Sequence, residues 1–469
     1  MSTTSLDTVT ALSAPVRSDP RPDDASGGSR RYGPVTTPTA LPAVVGADLV
    51  APTLRGARTY ANLDHAASTP ALVAVRDAVD AVLSTYSSVH RGNGFASRVT
   101  SDWYEQARAE VARFVGARED DTVVFTRNST DSLNLLARAL PADTTVVVFG
   151  SEHHAALLPW ADSTCVTLPV PTGVDAALAD LDAALGAVTT QHRLVVVAGA
   201  SNVTGEVWPL GEVVRVARRH GARVALDAAQ LAPHRAIDLR GDLVDYVAFS
   251  GHKLYAPCGA GVLAGRSDWL DEAAPYLRGG GATARVTTTG ATWTTGAARH
   301  EGGSPNVVGA VALATACATL TRHRSAVEVH ERTLLAELRV GLAAIPGVGL
   351  HSFFGEQHDR VGVVAFTVAG LDSSLVSAVL SAEHGIGVRD GKFCAHVLVD
   401  ALLHDPSLET PATAVRASLG LGTTPEHIVR LVAAVAALAA DGPARTYVRT
   451  RGGWEPQDDP RELTLPRPW

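Results

Sequence analysis

The sequence predicts an α/β fold built on a mostly parallel sheet, and two patterns in the chain lead to this prediction. Short β-branched runs, apolar almost throughout, recur at 121–125, 144–149, 193–200, 222–227 and 245–250. Segments with apolar residues at helical spacing alternate with these runs. This alternation is typical of parallel strands whose two faces are both covered by helices.

Helices are predicted where apolar side chains repeat every three or four residues, as at 72–82 and at 103–114. Alanine-rich helices follow Pro305, then a strand at 360–370 and a last helix whose apolar face begins at Ile428. We therefore expect a disordered tail at 1–45, because that segment is polar and aperiodic, and a large domain at 46–305. A smaller α/β domain at 306–448 and a Pro-rich tail at 449–469 complete the predicted organisation.

Composition and charge exclude several classes of partner. Lys and Arg total 40 against 48 Asp and Glu, which gives a net charge of -8, and no basic run is interleaved with aromatic residues. We therefore expect neither nucleic acid nor a membrane as a partner. The start of the sequence lacks the apolar stretch of a secretory signal, which favours a cytoplasmic protein. The four cysteines form no close pair, so neither a disulfide framework nor a metal site is predicted.

Lys253 stands out because the chain has only one other lysine, Lys392. It lies in "FSGHKLYAPCGAG" at 249–261, between a histidine and a glycine-rich turn. Arginine can replace lysine in a solvated ion pair, but not where a neutral primary amine must attack a carbonyl. From this stretch alone, Lys253 is either a surface lysine or a nucleophile.

Polar side chains follow all five predicted strands, at the carboxyl ends where open parallel sheets bind their ligands. In chain order they are Ser129 and Thr130 at the start of a helix, His153 and His154, Asn202, Asp227 with Gln230, and Ser250, His252 and Lys253. Each alone could be a helix cap or a structural residue.

Together these groups suit a phosphorylated pyridine aldehyde. Its carbonyl needs an amine, its ring nitrogen needs an acid, its ring needs a stacking partner, and its phosphate needs hydroxyl groups and a helix start. We therefore predict that Lys253 is the Schiff-base lysine of pyridoxal 5'-phosphate, with His252 and Ser250 as its neighbours at the cofactor.

The segments "NLDHAASTP" at 62, "SEHHA" at 151, "SNVTG" at 201, "LDAAQ" at 226 and "SGHK" at 250 occur in this order. With them the chain resembles the class V aminotransferase superfamily of fold type I, and within it the group II cysteine desulfurases and selenocysteine lyases. The resemblance runs from 62 to 435. It implies a pyridoxal phosphate enzyme with a large, mostly parallel domain and a smaller C-terminal α/β domain.

The resemblance also implies roles for individual residues. His153 is expected to stack on the pyridine ring, Asp227 to partner its nitrogen and Gln230 to donate a hydrogen bond to its hydroxyl. Ser129, Thr130, Ser250 and His252 are expected near the phosphate.

A homodimer is implied by "RHEGGSPN" at 299–306, in which Ser304 corresponds to a residue that reaches the phosphate of the other subunit. Asn202 and Arg416 match positions that bind the amino-acid substrate, with Arg416 as a bidentate partner of its α-carboxylate. "SVHRGNGFASR" at 88–98 fits a substrate-side loop, in which His90 is either a substrate-binding or a packing residue.

Cys394, in "VRDGKFCAHVLVD", bears on which reaction occurs. In desulfurases of this group a cysteine at this place attacks the sulfur of bound L-cysteine, which leaves alanine and a persulfide that passes to an acceptor, here a sulfur-acceptor protein. Lys253, Cys394 and His153 are then the expected catalytic residues, and Lys392, His396 or a deprotonated substrate amine is expected to help form the thiolate.

The neighbours of Cys394 depart from the pattern of the group, because Lys392-Phe393 stand where His-His is usual and "AHVLVD" replaces the usual Gln-Pro. Two alternatives therefore stay open. One is another class V reaction, such as C–S lysis, epimerisation or transamination, with Cys394 a bystander. The other is a non-catalytic protein that binds pyridoxal phosphate and acts as an interaction module.

Overall fold

A computed structural model describes residues 40–403 and 413–469. Its helices are α1 Val73–Thr85, α2 Phe95–Phe114, α3 Ser129–Ala139, α4 His154–Leu157, α5 Val174–Ala187, α6 Leu210–Arg219, α7 Ser267–Glu272, α8 Val307–Ala343, α9 Ser373–His384, α10 His396–Leu403 and α11 Pro425–Asp441. Its strands are β1 Val50–Thr53, β2 Gly56–Thr59, β3 Ala61–Asn62, β4 Asp121–Thr126, β5 Thr144–Phe149, β6 Thr164–Leu168, β7 His192–Ala198, β8 Arg223–Asp227, β9 Tyr246–Ser250, β10 Gly261–Arg266, β11 Thr283–Thr287, β12 Gly290–Trp293, β13 Val348–Leu350, β14 Val363–Val368, β15 Ile386–Gly387, β16 Arg389–Gly391, β17 Ala414–Ser418, β18 Tyr447–Thr450 and β19 Gly453–Pro456.

A seven-stranded sheet in the order β4-β10-β9-β8-β7-β5-β6 is the largest sheet of the described residues. Only β10 runs against the others, because it is antiparallel to both β4 and β9 while the remaining neighbours pair in parallel. The central strands are buried along almost their whole length, as expected between two helical layers. The predicted α/β class and the five predicted strands are confirmed.

A second, antiparallel sheet has the order β13-β14-β17-β16. Its core lies against α8, α9 and α11 and is separate from the core of the large sheet. The segment at 61–63 also belongs to this second core, since β3 pairs with β15 and Ser418 N donates to Leu63 O at 2.7 Å. This pairing brings Asp64 beside the end of β17, where Arg416 lies.

The alanine-rich region after Pro305 forms the single 37-residue helix α8. Its first turn is capped by Asn306, whose side-chain oxygen accepts from Gly309 N at 2.8 Å. None of the helices in the described ranges is long and apolar enough to cross a lipid bilayer.

The predicted tails and domain boundaries stay predictions, and residues 1–39 of the N-terminal tail lie outside the described residues. Val44 is buried, and Val45 N donates to Ala71 O at 2.8 Å. At the other end, β18 and β19 form an antiparallel hairpin across the predicted boundary at 448. Packed structure is therefore present on both sides of the boundaries at 45 and 448.

Candidate active site

The carboxyl ends of the parallel strands meet at a cavity of about 250 Å³. The predicted residues that line it are Ser129, Thr130, His153, Asn202, Ser250, His252, Lys253, Cys394 and Arg416. Asp227 and Gln230 line a smaller recess, which shares His153 and Lys253 with the cavity. Eleven strand-end, loop and small-domain residues from distant parts of the sequence are therefore brought together.

Lys253 reaches the cavity on a single 3₁₀ turn, Gly251–Lys253, that follows β9. Burial lowers the pKa of its ammonium group to about 8, against the opposing effect of the Asp227 carboxylate. An amine with this pKa is neutral in a substantial fraction of molecules near neutral pH, whereas an ordinary lysine is almost wholly protonated. The pocket therefore favours the nucleophilic form of Lys253.

Asp227 is the last residue of β8 and is only 4% exposed. Its Oδ1 accepts from Ala229 N at 2.9 Å. Burial raises the pKa of the carboxyl group, while the bond from Ala229 and the nearby Lys253 lower it. The carboxylate form of Asp227 can accept a hydrogen bond from a protonated ring nitrogen.

The start of α3 forms a second polar edge of the cavity. Ser250 Oγ accepts from Ser129 N at 2.8 Å and donates to Ser129 Oγ at 2.9 Å. A Cβ at Gly261 would lie 2.4 Å from Asn128 Cα, so only glycine lets β10 pass this close to the helix start. Thr130 is exposed at the same edge, where the helix dipole favours an anion.

His153 and Gln230 are positioned by bonds to the backbone. His153 caps α4 by accepting from Ala155 N at Nδ1, at 3.0 Å. Burial and the neighbouring Lys253 lower the pKa of His153 to about 3, so its ring is neutral and suited to stacking. The Gln230 amide donates from Nε2 to Ala66 O at 2.7 Å, which fixes its orientation in the recess.

Arg416 is 3% exposed and is hydrogen-bonded to Asn202 and Asp64. It donates from one terminal nitrogen to Asn202 O at 2.9 Å and from the other to Asp64 Oδ1 at 3.0 Å. Its third nitrogen, Nε, has no partner among the described residues. Burial lowers the pKa of the guanidinium, and Asp64 opposes this shift. Each terminal nitrogen carries two N–H groups, so one donor on each remains for a carboxylate.

Cys394 is exposed and lies in a strained turn. Phe393 and Cys394 have φ angles of 53° and 55°, a left-handed conformation that L side chains rarely adopt. Two hydrogen bonds hold the turn: Asn202 Nδ2 donates to Phe393 O and His154 N donates to Cys394 O, both at 2.8 Å. The thiol is thus presented to the cavity by a backbone that the surrounding groups keep in place.

Of the two side chains predicted to help form the Cys394 thiolate, Lys392 forms an ion pair with Asp400. The ring of His396 packs edge-on against the ring of His154, with 4.6 Å between the ring centres. Lys392 is therefore engaged elsewhere, and His396 is the predicted helper without an ion pair among the described residues.

Ser304 and His90 lie outside the Lys253 cavity in the described chain. Ser304 is exposed and lines a different cavity of about 450 Å³, together with Tyr104 and Glu301. His90 is also exposed, and its Nε2 lies 3.1 Å from Glu105. The predicted role of Ser304 concerns the site of a second copy of the chain, and it stays a prediction, as do the two alternatives for His90.

Four residues of the site were not singled out from the sequence. Asp64 binds Arg416, and Arg389 lines the cavity. The ring of Phe393 lies 5.1 Å from the Arg416 guanidinium, and Glu152 is buried directly before His153. Asp64 and Glu152 lie within the segments "NLDHAASTP" and "SEHHA" that carry the family resemblance. They could have been found from the sequence as neighbours of the residues named in those segments.

A model of the family described as Aminotransferase class-V matches residues 61–431. A cysteine desulfurase of Dickeya dadantii is 37% identical over 386 residues, which cover 80% of this chain and 90% of the relative. A probable cysteine desulfurase of Vibrio cholerae is 33% identical and covers 80% and 92%, respectively.

Two solved structures share the fold. A cysteine desulfurase of Thermococcus onnurineus aligns with a TM-score of 0.73 and 29% identity, over 81% of this chain and 94% of the other. One from Escherichia coli aligns with a TM-score of 0.68 and 31% identity, over 80% and 94%. These matches confirm the resemblance and the fold class expected from the sequence. The chain belongs to the class-V aminotransferase family.

Proposed function

We propose that this chain is a pyridoxal 5'-phosphate-dependent cysteine desulfurase that converts L-cysteine to alanine and leaves a persulfide on Cys394. The observation that carries the proposal is the single cavity in which the Lys253 amine, the Arg416 guanidinium and the exposed Cys394 all meet. The names of the relatives agree with it, because they are cysteine desulfurases or probable cysteine desulfurases.

The donor set fits the cofactor. The buried Asp227 suits a protonated ring nitrogen, the neutral ring of His153 suits stacking, and the Lys253 amine suits a carbonyl carbon. The start of α3 with Ser129 and Ser250 offers backbone N–H and hydroxyl groups to a phosphate. When bound, pyridoxal phosphate supplies a ring that accepts negative charge from the α-carbon of the substrate.

The substrate is held by charge and by shape. Arg416 offers its guanidinium to the α-carboxylate, and Asn202 lies beside it because its carbonyl oxygen accepts from Arg416 at 2.9 Å. Lys253 Nζ, in its neutral form, takes a proton from the α-carbon. The lowered pKa of about 8 keeps enough of this form available near neutral pH.

Cys394 then receives the sulfur. Its thiolate forms an S–S bond with the sulfur of L-cysteine as the carbon–sulfur bond breaks, and the carbon that loses sulfur takes up one proton. The proton held by Lys253 returns to the α-carbon. The thiol of Cys394 is oxidised to the persulfide level, and the substrate carbon is reduced to the methyl group of alanine. A reducing thiol, or the proposed sulfur-acceptor protein, removes the outer sulfur.

The proposal is tested by Cys394→Ser. This variant should still bind L-cysteine, because Lys253, Asp227 and Arg416 are untouched, but it should release almost no alanine, since a hydroxyl is a far poorer nucleophile toward sulfur. Alanine is measured after incubation with L-cysteine, and Cys165→Ser serves as a control of another exposed thiol. Full turnover by Cys394→Ser, or the products pyruvate and ammonia, would favour a lyase or another class V reaction.

A homodimer and a cytoplasmic location belong to the same proposal. Ser304 supports the dimer, because it is exposed on this chain and lies outside the Lys253 cavity. A second subunit that brings Ser304 to the start of α3 would add a hydroxyl group to the phosphate site.

A further inference from the structure

Glu152 is a buried acid that no step above uses. It lies between Ser151 and His153, directly after β5, and is only 1% exposed. Neither of its carboxyl oxygens has a hydrogen-bond partner among the described residues. The turn is fixed by its own backbone, since Glu152 N donates to Phe149 O at 3.1 Å. The side chain is therefore held away from water without a partner for a negative charge.

The ionisable group that acts on Glu152 is Asp227, at the end of β8, which is separated from β5 in the sheet by β7. From β7 the backbone of Ala198 approaches it, and Ala198 is the residue that pairs with Asp227 in the sheet. No arginine, lysine or histidine is among the groups that shift its pKa. Two carboxyl groups thus act on one another at the carboxyl ends of strands that flank β7, and only Asp227 is also influenced by a cation, Lys253.

In a buried site the charge of one carboxylate disfavours ionisation of the other. Burial, and then Asp227, raise the pKa of Glu152 well above its usual range. Asp227 accepts from Ala229 N at 2.9 Å, and the nearby Lys253, a cation that does not act on Glu152, also lowers its pKa. Unequal surroundings of this kind separate the two members of a carboxyl pair into an acid and an anion.

We propose that Glu152 and Asp227 form a carboxyl pair that holds one proton at neutral pH, with the proton on Glu152 and the charge on Asp227. Glu152 is then a positioning residue, because it acts on the cofactor site only through Asp227. The inference rests on the proposed function for its meaning, since the cofactor's ring nitrogen needs the charge of Asp227.

Infrared spectroscopy of the purified full-length chain at neutral pH tests the pair directly. A protonated carboxylic acid has a carbonyl stretch well separated from the bands of a carboxylate. We expect this band in the wild-type protein and in Asp227→Asn, and its loss in Glu152→Gln. Identical wild-type and Glu152→Gln spectra in this region, or loss of the band in Asp227→Asn with its retention in Glu152→Gln, would overturn the proposal.

The pH dependence of unfolding gives a second readout, for which Glu152→Gln is a matched control of similar size. A buried acid with a raised pKa stabilises the fold fully below the unfolded-state pKa of about 4.3, and this contribution is lost as the pH rises toward the folded-state pKa. The unfolding constant of the wild type relative to Glu152→Gln should therefore rise by up to about tenfold per pH unit as the pH rises above about 5 toward the folded-state pKa.

A ratio that does not change with pH would contradict the assignment of the proton to Glu152. Both measurements are independent of turnover. If the desulfurase proposal fails, the expected infrared and unfolding results stay the same. If these two results contradict the proton on Glu152, the proposed role of Cys394 is unaffected.

Discussion

Lys253 shows how one side chain acquires reactivity from its surroundings. It is one of two lysines in the chain, and the structure puts it in a site where burial and charge have opposite effects. Burial lowers its pKa to about 8, and Asp227 keeps the pKa from falling further. Lys392, by contrast, forms an ion pair with Asp400 at the edge of the site.

The small number of lysines makes this pKa measurable. Only the neutral amine reacts with an acylating reagent, so the labelling rate of Lys253 in the cofactor-free protein should rise with pH and reach half its maximum near pH 8. Limited access of the reagent to the cavity lowers the labelling rate by the same factor at every pH, so the midpoint of the rate against pH is unchanged. The rate is followed by mass spectrometry of the Lys253 peptide.

Asp227→Asn serves as the comparison for this measurement. Because Asp227 raises the pKa of Lys253, its removal should shift the midpoint to lower pH. A wild-type midpoint near 10, the value of an ordinary lysine, would show that the site does not tune the amine.

At the scale of elements, the turn that carries Cys394 depends on contacts from several parts of the fold. Asn202 follows β7, His154 starts α4, and Arg416 lies on β17. Their bonds and the Phe393 ring hold two consecutive residues in the left-handed region. Such a conformation costs of order 1–3 kcal/mol per residue and persists only where the surroundings determine it.

Comparison of Cys394→Gly with Cys394→Ala isolates this backbone strain. Both variants lack the thiol, but only glycine adopts a positive φ without steric penalty. Cys394→Gly should therefore be more stable than Cys394→Ala by about 1 kcal/mol in the free energy of unfolding, measured by urea titration. Equal stabilities, or a less stable glycine variant, would show that the turn is not strained.

At the scale of the molecule, the sheet gathers residues that are far apart in sequence, and the second sheet completes the site. Arg416 on β17 meets Asp64 only because the segment at 61–63 pairs with that part of the chain. Glu206, buried near Asn202, accepts from Arg360 at 3.2 Å and from Phe353 N at 2.9 Å, which ties the Asn202 loop to the smaller sheet. Substrate-side residues thus come from both sheets.

The proposed dimer is tested at this scale by mixing two impaired variants. Lys253→Ala and Ser304→Ala each impair one contribution to a shared site, so hybrids should contain one site in which both groups are intact. Activity should reappear after subunit exchange and should be absent when either variant is exchanged with itself. A Ser304→Ala variant that is fully active alone, or a wild-type monomer that is active at low concentration, would contradict the shared site.

The sequence predicted the parts of the site that depend on local chemistry at strand ends. Asp227, Ser250 and Lys253 follow apolar runs that could be read without a structure, and all three meet in the site. Strand β10 was not predicted, because its glycine-rich start "GAG" was read as a turn, whereas Gly261 allows close passage beside Asn128.

Contacts between distant segments were also out of reach of sequence patterns. The pairing of Asp64 with Arg416 joins residues 352 positions apart, and no periodicity in the chain encodes it. The isolation of Glu152 is likewise a property of its buried surroundings.

The mass of the Cys394 peptide after incubation of the wild-type protein with L-cysteine tests the central claim most directly. The peptide should carry one additional sulfur atom, which a reducing thiol removes, while the peptides of Cys165 and Cys258 remain unmodified. Alanine should form in the same incubation. A Cys394 peptide of unchanged mass in a protein that nevertheless turns over L-cysteine would contradict the account.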